Sequence, residues 1–327
     1  MPYIDASHYQ HDLDRQTLDA LRSIPGFTPL LKAFMKAYNE RIVFITTKST
    51  HIEITPHQLS EYYDMVPPLC ERLGIEVPTL YLANDVTMNA YTTNESSPII
   101  VINTGTLQNC SKETIRAIFA HECGHIASHH VLYHSMGSMI MSGAAAVLPG
   151  VGGLVSVGLQ AAYLAWSRAS EFTADRAAAI ALGSPDAVED MCVELAGGWS
   201  QLGLDIDKEL FMNQASEYEQ AIQGDSVNKA FEVVINALEG THPLNAYRAL
   251  ELRRWCELEQ FENMQRFLRG EEIDASAQLP PLAKQTPEEN VRAPESSVAM
   301  SQNFCGQCGA SLKEGQKFCA SCGSKCN

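Results

Sequence analysis

The chain has 327 residues, 45% of them hydrophobic, so it can bury a large core and hold more than one domain. Its formal net charge of -16 argues against a general nucleic-acid-binding protein, because the phosphate backbone attracts basic surfaces. The opening residues, MPYIDASHYQHDLDRQ, show neither the basic stretch nor the apolar stretch of a signal peptide. We therefore expect a cytoplasmic protein in a reducing compartment.

The first hundred residues predict helices followed by a small sheet. Residues 12–40 have a helical pattern broken at Pro25 and Gly26, and PHQLSEYYDMVPPLCERLG (56–74) also predicts helix. Alternating apolar residues predict strands in RIVFITT (41–47) and HIEIT (51–55). Three further strands are predicted before the next helix, in TLYLAND (79–85), MNAYTT (88–93) and PIIVIN (98–103).

The helix that follows carries a His-Glu-x-x-His motif. SKETIRAIFAHECGHIASHHVL (111–132) begins with the helix-capping residue Ser111 and has apolar residues at helical spacing. His121 and His125 lie one turn apart on such a helix, so both can bind one metal ion. Glu122 lies beside them, and the motif predicts that it acts as general base on a metal-activated water.

The third metal ligand must come from elsewhere in the chain. A histidine-rich extension of the motif would need glycine and histidine where Ser128 and Val131 stand. A later segment, SRASEFTADRAAAIALG (167–183), predicts a helix with Glu171 and Asp175 one turn apart. Glu171 can ligate zinc, and Asp175 can accept the free N–H of a ligating histidine and fix its tautomer.

Three more histidines follow the motif. The helical pattern continues past it and would keep His129 on the ligand face, with His130 and His134 after it. A fourth protein ligand would close the coordination position that catalysis requires. We therefore interpret these three histidines as supporting, surface or packing residues.

An uncharged run, SMGSMIMSGAAAVLPGVGGLVSVGLQAAYLAWS, spans residues 135–167. It is longer than 18 residues, which is the length typical of a membrane span, but Pro149 and Gly150 divide it. Each half would be roughly 21–25 Å long as a helix, short of a bilayer core of about 30 Å. The first interpretation is a helical hairpin packed over the catalytic cleft, and the alternative is shallow or re-entrant membrane contact. Beyond residue 185 the chain is predicted to be mostly helical.

The end of the chain differs in composition from the rest. Residues 271–303 contain four prolines and little periodicity, which predicts a flexible linker between a domain of residues 1–270 and a tail of residues 304–327. In the tail, two Cys-x-x-Cys pairs are each followed by glycine, which predicts a structural zinc ribbon rather than disulfides in a reducing compartment. Its four ligands are Cys305, Cys308, Cys319 and Cys322. Ribbons of this kind bind either a protein partner or a nucleic acid.

Four motifs stand in an order that resembles the HtpX-like and CAAX-prenyl-protease-like zinc metallopeptidases, which are gluzincins. They are NAYTTNESSPIIVINTGTL (89–107), KETIRAIFAHECGHI (112–126), SRASEFTADR (167–176) and THPLNAYRALEL (241–252), and the resemblance runs from about residue 10 to residue 260. It implies an α+β zincin-like fold that is mostly helical with a small sheet. It also carries His121, Glu122, His125, Glu171 and Asp175 into the roles given above.

The same resemblance suggests further site residues. Asn89 and Ala90 would lie on an edge strand and meet the backbone of the substrate beside the scissile bond. Alternatively, they belong to an ordinary strand in which Asn89 caps a turn. His242 would hydrogen-bond the oxyanion of the tetrahedral intermediate, or it would only precede Pro243 at the start of a helix.

Two functions follow from these observations. The first is a zinc endopeptidase, with one catalytic and one structural zinc ion, acting on unfolded, damaged or membrane-associated polypeptides. The second is a non-catalytic adaptor that binds clients through a peptidase fold while its ribbon recruits a partner. The intact set of His121, Glu122, His125 and Glu171 favours the enzyme.

Overall fold

The computed structural model describes residues 2–143, 156–222 and 245–271. Within these ranges most residues are helical, and a small sheet precedes the motif helix, as the α+β prediction requires. The helices are α1 (Asp12–Ser23), α2 (Phe27–Ala37), α3 (Glu40–Thr50), α4 (Ser60–Tyr63), α5 (Pro67–Leu73), α6 (Thr104–Asn109), α7 (Lys112–Ala127), α8 (Val131–Met141), α9 (Val157–Leu182), α10 (Asp186–Leu195), α11 (Lys208–Ile222), α12 (Asn245–Cys256) and α13 (Glu259–Leu268). The strands are β1 (Ile52–Ile54), β2 (Thr79–Ala83), β3 (Ala90–Thr93) and β4 (Ile99–Asn103).

The sheet has the strand order β1-β2-β4-β3. β2 and β4 are parallel, and the two outer strands run antiparallel to their neighbours. The predicted strand segments that begin at residues 51, 79, 88 and 98 therefore each contain a strand. Among the described residues β3 pairs only with β4, so it forms an edge of the sheet.

The strand predicted at residues 41–47 is wrong, because this segment lies in α3. Asn39 caps the helix by accepting the backbone N–H of Ile42 at 3.2 Å. Phe44 then packs on the outer face of the sheet, while Ile42 and Ile45 stay 60% and 53% exposed. The alternating apolar residues therefore do not form one buried face, as they would in a strand. The Asn39 cap and the packing of Phe44 favour the helix instead.

One large core fixes the helices that carry the motifs. Its buried residues come from the inner face of the sheet, including Ile100 and Ile102, and from helices α5, α7, α9, α10, α12 and α13. α7 and α9 lie side by side within it. Because interiors are packed almost as densely as crystals, this core holds the side chains of the two helices in fixed relative positions.

A second cluster accounts for the described parts of the uncharged run. Residues of α8 and α9, among them Met136 and Trp166, pack there against Phe27 and Leu30 of α2. The predicted turn of the hairpin at Pro149 and Gly150 lies outside the described residues. No helix in the described part of the chain is both long enough and apolar enough to cross a membrane.

The motif helix is shorter than the apolar pattern predicts. α7 ends at Ala127, and His129 has a left-handed backbone with φ of 56° before α8 begins at Val131. The side chain of His129 is therefore 83% exposed and bonds to Glu95 instead of continuing the ligand face. The turn brings the backbone N–H of His130 to the carbonyl oxygen of His125 at 3.0 Å.

Candidate metal centre

The two predicted ligand helices, α7 and α9, approach each other at Gly124. A Cβ atom on this glycine would lie 2.8 Å from Cβ of Ala177 and 2.9 Å from the carbonyl oxygen of Ala174. Both distances are shorter than atoms tolerate, so only glycine allows this spacing between the helices. The glycine inside the His-Glu-x-x-His motif thus brings the third-ligand helix within reach of the two histidines.

We expect Gly124→Ala to push α7 and α9 apart. Overpacking of this kind costs roughly 1–3 kcal/mol of folding free energy, and metal affinity should fall with it because the ligands come from both helices. Thermal unfolding and zinc titration measure the two effects. Gly158→Ala is the matched control, since this glycine is in the first turn of α9 and an added Cβ would lie 3.9 Å from its nearest neighbour. A Gly124→Ala variant that unfolds and binds zinc like the parent would contradict the close-approach argument.

Three buried donor groups converge at this junction. Nε2 of His121 and Nε2 of His125 are 3.2 Å apart. One carboxylate oxygen of Glu171, Oε2, lies 3.3 Å from Nε2 of His121, and the other, Oε1, lies 3.4 Å from Nε2 of His125. The structure therefore brings together all three side chains that the sequence predicts as ligands of the catalytic metal.

The spacing of these donors fits a tetrahedral zinc site. Ligand bonds of about 2.0–2.1 Å in tetrahedral geometry put donor atoms about 3.3 Å apart. The three observed separations lie between 3.2 and 3.4 Å. Two imidazoles and one carboxylate are also the donor set of catalytic zinc sites, which leave the fourth position open. The residues present therefore fit the metal.

Asp175 and Arg248 hold the first of these histidines. Oδ1 of Asp175 lies 2.9 Å from Nδ1 of His121, so this nitrogen donates a proton to the carboxylate and Nε2 is the nitrogen available to bind a metal. The buried guanidinium of Arg248 donates to both oxygens of Asp175, at 2.8 and 2.7 Å. Burial favours the neutral acid, but the charge and hydrogen bonds of Arg248 and the bond to His121 lower the pKa of Asp175.

The charges around the donors favour a cation. Burial lowers the pKa of His121, but hydrogen bonds to Asp175 and Glu171 and the charges of both carboxylates outweigh it and raise the pKa to about 9. For His125, burial is the largest effect and the pKa is lowered. The two carboxylates thus stabilise positive charge near Nε2 of His121. A bound divalent ion would place more positive charge there than a proton does.

Glu122 is buried beside the three donors, but it is not part of the group formed by His121, His125 and Glu171 that could hold a metal. Its Oε2 accepts a hydrogen bond of 2.7 Å from Oγ1 of Thr92 on β3. This bond holds the carboxylate between the motif helix and the edge strand. A general base needs this kind of placement, close to the metal without ligating it.

The edge strand presents alternate backbone groups outward. The backbone N–H of Asn103 donates to the carbonyl oxygen of Asn89 at 3.0 Å, which makes these two residues a hydrogen-bonded pair. In an antiparallel ladder such pairs alternate, so the N–H and C=O of Ala90 and Thr92 point away from β4. Both backbone groups of Asn89 are used, since Thr106 bonds them as well at 2.8 Å each. Ala90 thus faces the open edge with its backbone, whereas Asn89 can offer only its side chain.

Comparison with known proteins identifies the family. The sequence model of Peptidase family M48 matches residues 63–256, more than half of the chain. The chain belongs to peptidase family M48. This confirms the resemblance to the HtpX-like metallopeptidases and makes the chain a hydrolase of the metalloprotease class. A non-catalytic adaptor is not favoured.

Three relatives illustrate the range of similarity to this M48 peptidase. The plastoglobule-localized metallopeptidase 48, chloroplastic, of Arabidopsis thaliana is 29% identical over 265 residues, 80% of this chain and 76% of the relative. The protease HtpX of Legionella pneumophila (strain Corby) is 26% identical over 217 residues, 58% of this chain and 75% of the relative. The protease HtpX homolog of Ralstonia nicotianae is 28% identical over 160 residues, 42% of this chain. The M48 chain spans 56% of that Ralstonia protein.

Some predicted site residues of the M48 chain lie outside the described residues. They are His242 and the tail cysteines Cys305, Cys308, Cys319 and Cys322. Three other residues of the site, Thr92, Arg248 and Asp14, were not predicted from the sequence, and His130 near His125 was interpreted only as a supporting, surface or packing residue. Arg248 lies in the segment that resembles the family's C-terminal element, which was the one available signal for it.

Proposed function

We propose that this M48 peptidase is a zinc-dependent endopeptidase that hydrolyses peptide bonds of unfolded, damaged or membrane-associated proteins. One observation carries the proposal. Nε2 of His121 and Nε2 of His125 lie 3.2 Å apart, and each faces one oxygen of Glu171 at 3.3–3.4 Å, separations that suit tetrahedral zinc. The carboxylate of Glu122, which is outside this donor group, is buried beside them.

The residues of the chain divide the work of hydrolysis. His121, His125 and Glu171 would hold zinc, which supplies a Lewis acid and lowers the pKa of a coordinated water to about 7. Glu122 accepts the proton that the attacking water releases and passes it to the leaving amine. Thr92 orients Glu122 through its hydrogen bond of 2.7 Å. Further away, Asp175 and Arg248 keep the Nδ1 proton of His121 in place.

The substrate is proposed to bind as an extra strand beside β3. The N–H and C=O groups of Ala90 and Thr92 face away from β4, so an extended peptide can pair with them. Main-chain pairing makes little demand on side chains and suits segments that have lost their own structure. Because Thr92 also binds Glu122, a peptide on this edge would lie next to the proposed general base.

We expect Ala90→Pro to reduce peptide cleavage strongly. Proline removes the N–H that faces the open edge, and an unpaired carbonyl on the bound peptide costs about 1–3 kcal/mol, roughly a 10–100-fold loss in kcat/KM. Zinc content and thermal unfolding should stay close to those of the parent, because this N–H makes no bond to β4. Ala90→Ser retains the N–H and serves as control. Unaltered cleavage by a folded Ala90→Pro variant would show that substrates bind elsewhere.

The remaining assignments rest on the sequence. Cys305, Cys308, Cys319 and Cys322 are proposed to hold a second, structural zinc ion, whose binding would supply the folding energy that so short a tail lacks. The ribbon is proposed to bind a protein partner, and His242 to bind the oxyanion of the substrate. Membrane contact through residues 135–167 remains the alternative to a hairpin over the cleft, in a protein otherwise proposed to be cytoplasmic.

Cleavage of an unfolded, casein-like protein by the purified full-length chain tests the proposal. We expect cleavage that stops when a chelator removes the metal and returns when zinc is added. A synthetic peptide blocked at both ends should also be cut internally, since an endopeptidase needs no free terminus. Cleavage that persists in the chelated protein would refute the zinc mechanism, and trimming from the ends alone would refute the endopeptidase assignment.

A further inference from the structure

The second ligand histidine is supported by another histidine. Nδ1 of His125 lies 3.0 Å from Nδ1 of His130, and both rings are buried. If Nε2 of His125 is to bind a metal, its proton must be on Nδ1, where it is donated to His130. His130 must then accept at Nδ1 and carry its own proton on Nε2. The direction of both hydrogen bonds is therefore set by the metal site.

The chain of hydrogen bonds ends at a buried carboxylate. Nε2 of His130 lies 3.1 Å from Oδ2 of Asp14, which is 116 residues away in the sequence. Asp14 is fully buried and also accepts from Trp166 Nε1 on Oδ1 at 2.9 Å and from Thr173 Oγ1 on Oδ2 at 2.8 Å. Burial raises the pKa of Asp14, but the contact with His130 and the hydrogen bonds from Thr173 and Gln10 outweigh it and lower the pKa to about 2. Asp14 is thus a fixed acceptor.

The carboxylate belongs to a helix outside the matched family segment. Asp14 lies on α1 (Asp12–Ser23), whereas the family match begins at residue 63. The start of α1 is hydrogen-bonded to α9, the helix that carries Glu171, because the backbone N–H of His11 donates to Oγ1 of Thr173 at 3.0 Å. The N-terminal helix therefore supports both His125, through His130, and the helix that carries Glu171.

We propose that Asp14 and His130 are positioning residues of the metal site. Asp14 fixes the tautomer of His130, and His130 holds the N–H of His125 so that Nε2 faces the metal. The inference rests on the proposed zinc site but not on proteolysis, since its first consequence is metal affinity. Partners that orient a ligating histidine change metal affinity by about 10–100-fold when they are replaced.

A second metal ion held by His125, His130 and His134 is the competing interpretation, since these three histidines have donor atoms within 4.8 Å of one another. It would need metal on both nitrogens of His125. It also gives no role to two observed hydrogen-bond contacts. Nε2 of His130 lies 3.1 Å from Asp14, and Nε2 of His134 lies 3.0 Å from Ser170. Zinc stoichiometry separates the two interpretations.

Asparagine at position 14 gives the sharpest test. The indole N–H of Trp166 can only donate, whereas the Thr173 hydroxyl and the Gln10 amide on the other side can also accept. Trp166 therefore holds the amide oxygen of Asn and turns the amide NH2 toward His130. His130 would then accept at Nε2 and carry its proton on Nδ1. Two N–H donors, Nδ1 of His130 and Nδ1 of His125, would face each other and could not form a hydrogen bond. We expect Asp14→Asn to weaken zinc binding about 10–100-fold. Adding Trp166→Phe frees the amide to rotate its oxygen toward His130, so the double variant should regain much of the lost affinity.

The measurement is zinc affinity by chelator competition. The full chain carries serine at Cys305, Cys308, Cys319 and Cys322, so that the measured zinc is bound only at the proposed catalytic site. Trp166→Phe alone removes one bond from Asp14 but leaves the bonds to His130 and His125, so its loss of affinity should be small beside that of Asp14→Asn. Thermal unfolding of the metal-free variants reports structural damage separately. If Asp14→Asn does not fold, His130→Leu replaces it, with the same expected loss of zinc affinity.

Three results would overturn the inference. Equal losses of affinity in Asp14→Asn and Trp166→Phe would indicate general loosening of the fold, and so would additive losses in the double variant. Two zinc ions per parent chain in the serine background would favour the three-histidine metal site. A parent that binds one zinc ion tightly but cleaves no peptide would refute the proposed endopeptidase while leaving the positioning role measurable.

Discussion

Replacing Glu122 by glutamine is expected to abolish peptide cleavage and to leave the metal site filled. The amide has the shape of the carboxylate and can still accept the hydrogen bond from Thr92, but it cannot take up a proton. General-base catalysis contributes about 10²–10⁴-fold to the rate, so kcat should fall by that factor. Zinc content should equal that of the parent because Glu122 is not among the three grouped donors.

The control for this variant is Glu113→Gln. Glu113 lies in the first turn of the same helix and is exposed, so its replacement changes the net charge equally without touching the site. We expect this control to cleave at the rate of the parent. A Glu122→Gln variant with the parent's kcat would remove Glu122 from the mechanism.

Glu171→Ala should lose both metal and activity, in contrast to Glu122→Gln. The two oxygens of Glu171 face the two histidines at 3.3 and 3.4 Å, and no other carboxylate in the described part of the chain joins this group. Removing a ligand should weaken zinc binding by more than the roughly 100-fold seen for residues that only support a ligand. Cleavage should fall in parallel, because the metal-free site has no Lewis acid.

Zinc counting makes this prediction quantitative. The parent should bind two zinc ions per chain, serine at the four tail cysteines should leave one, and Glu171→Ala in that background should leave close to none. Glu189→Gln is the control, since Glu189 is a buried carboxylate on α10 that pairs with Arg253 at 2.6 Å, away from the site. Full occupancy in the Glu171→Ala chain would show that Glu171 is not the third ligand.

The sequence predicts the parts of the site that depend on local geometry. His121 and His125 share a helix face because helical residues four apart always do, and the side chain of Ser111 caps the helix by accepting the N–H of Thr114. The same spacing rule places Glu171 and Asp175 together on α9. These contacts need only a continuous helix, so a periodic pattern is enough to predict them.

The parts that the sequence does not predict depend on backbone breaks and distant partners. Helical spacing puts His129 on the ligand face, but its left-handed backbone ends α7 and places His130 beside Nδ1 of His125 instead. The pairing of His130 with Asp14 spans 116 residues and requires α1 to pack along α9. The helix at residues 40–50 likewise depends on Asn39 and on the sheet beneath Phe44, which alternation of apolar residues does not reveal.

Crystals of the zinc-loaded full-length protein, measured on both sides of the zinc absorption edge, test the central assignment most directly. We predict an anomalous peak within about 2.0–2.2 Å of Nε2 of His121, Nε2 of His125 and the carboxylate of Glu171. Glu122 should lie outside this bonding distance, with its bond to Thr92 retained. A peak bounded by His125, His130 and His134, or no peak near the motif helix, would contradict the account.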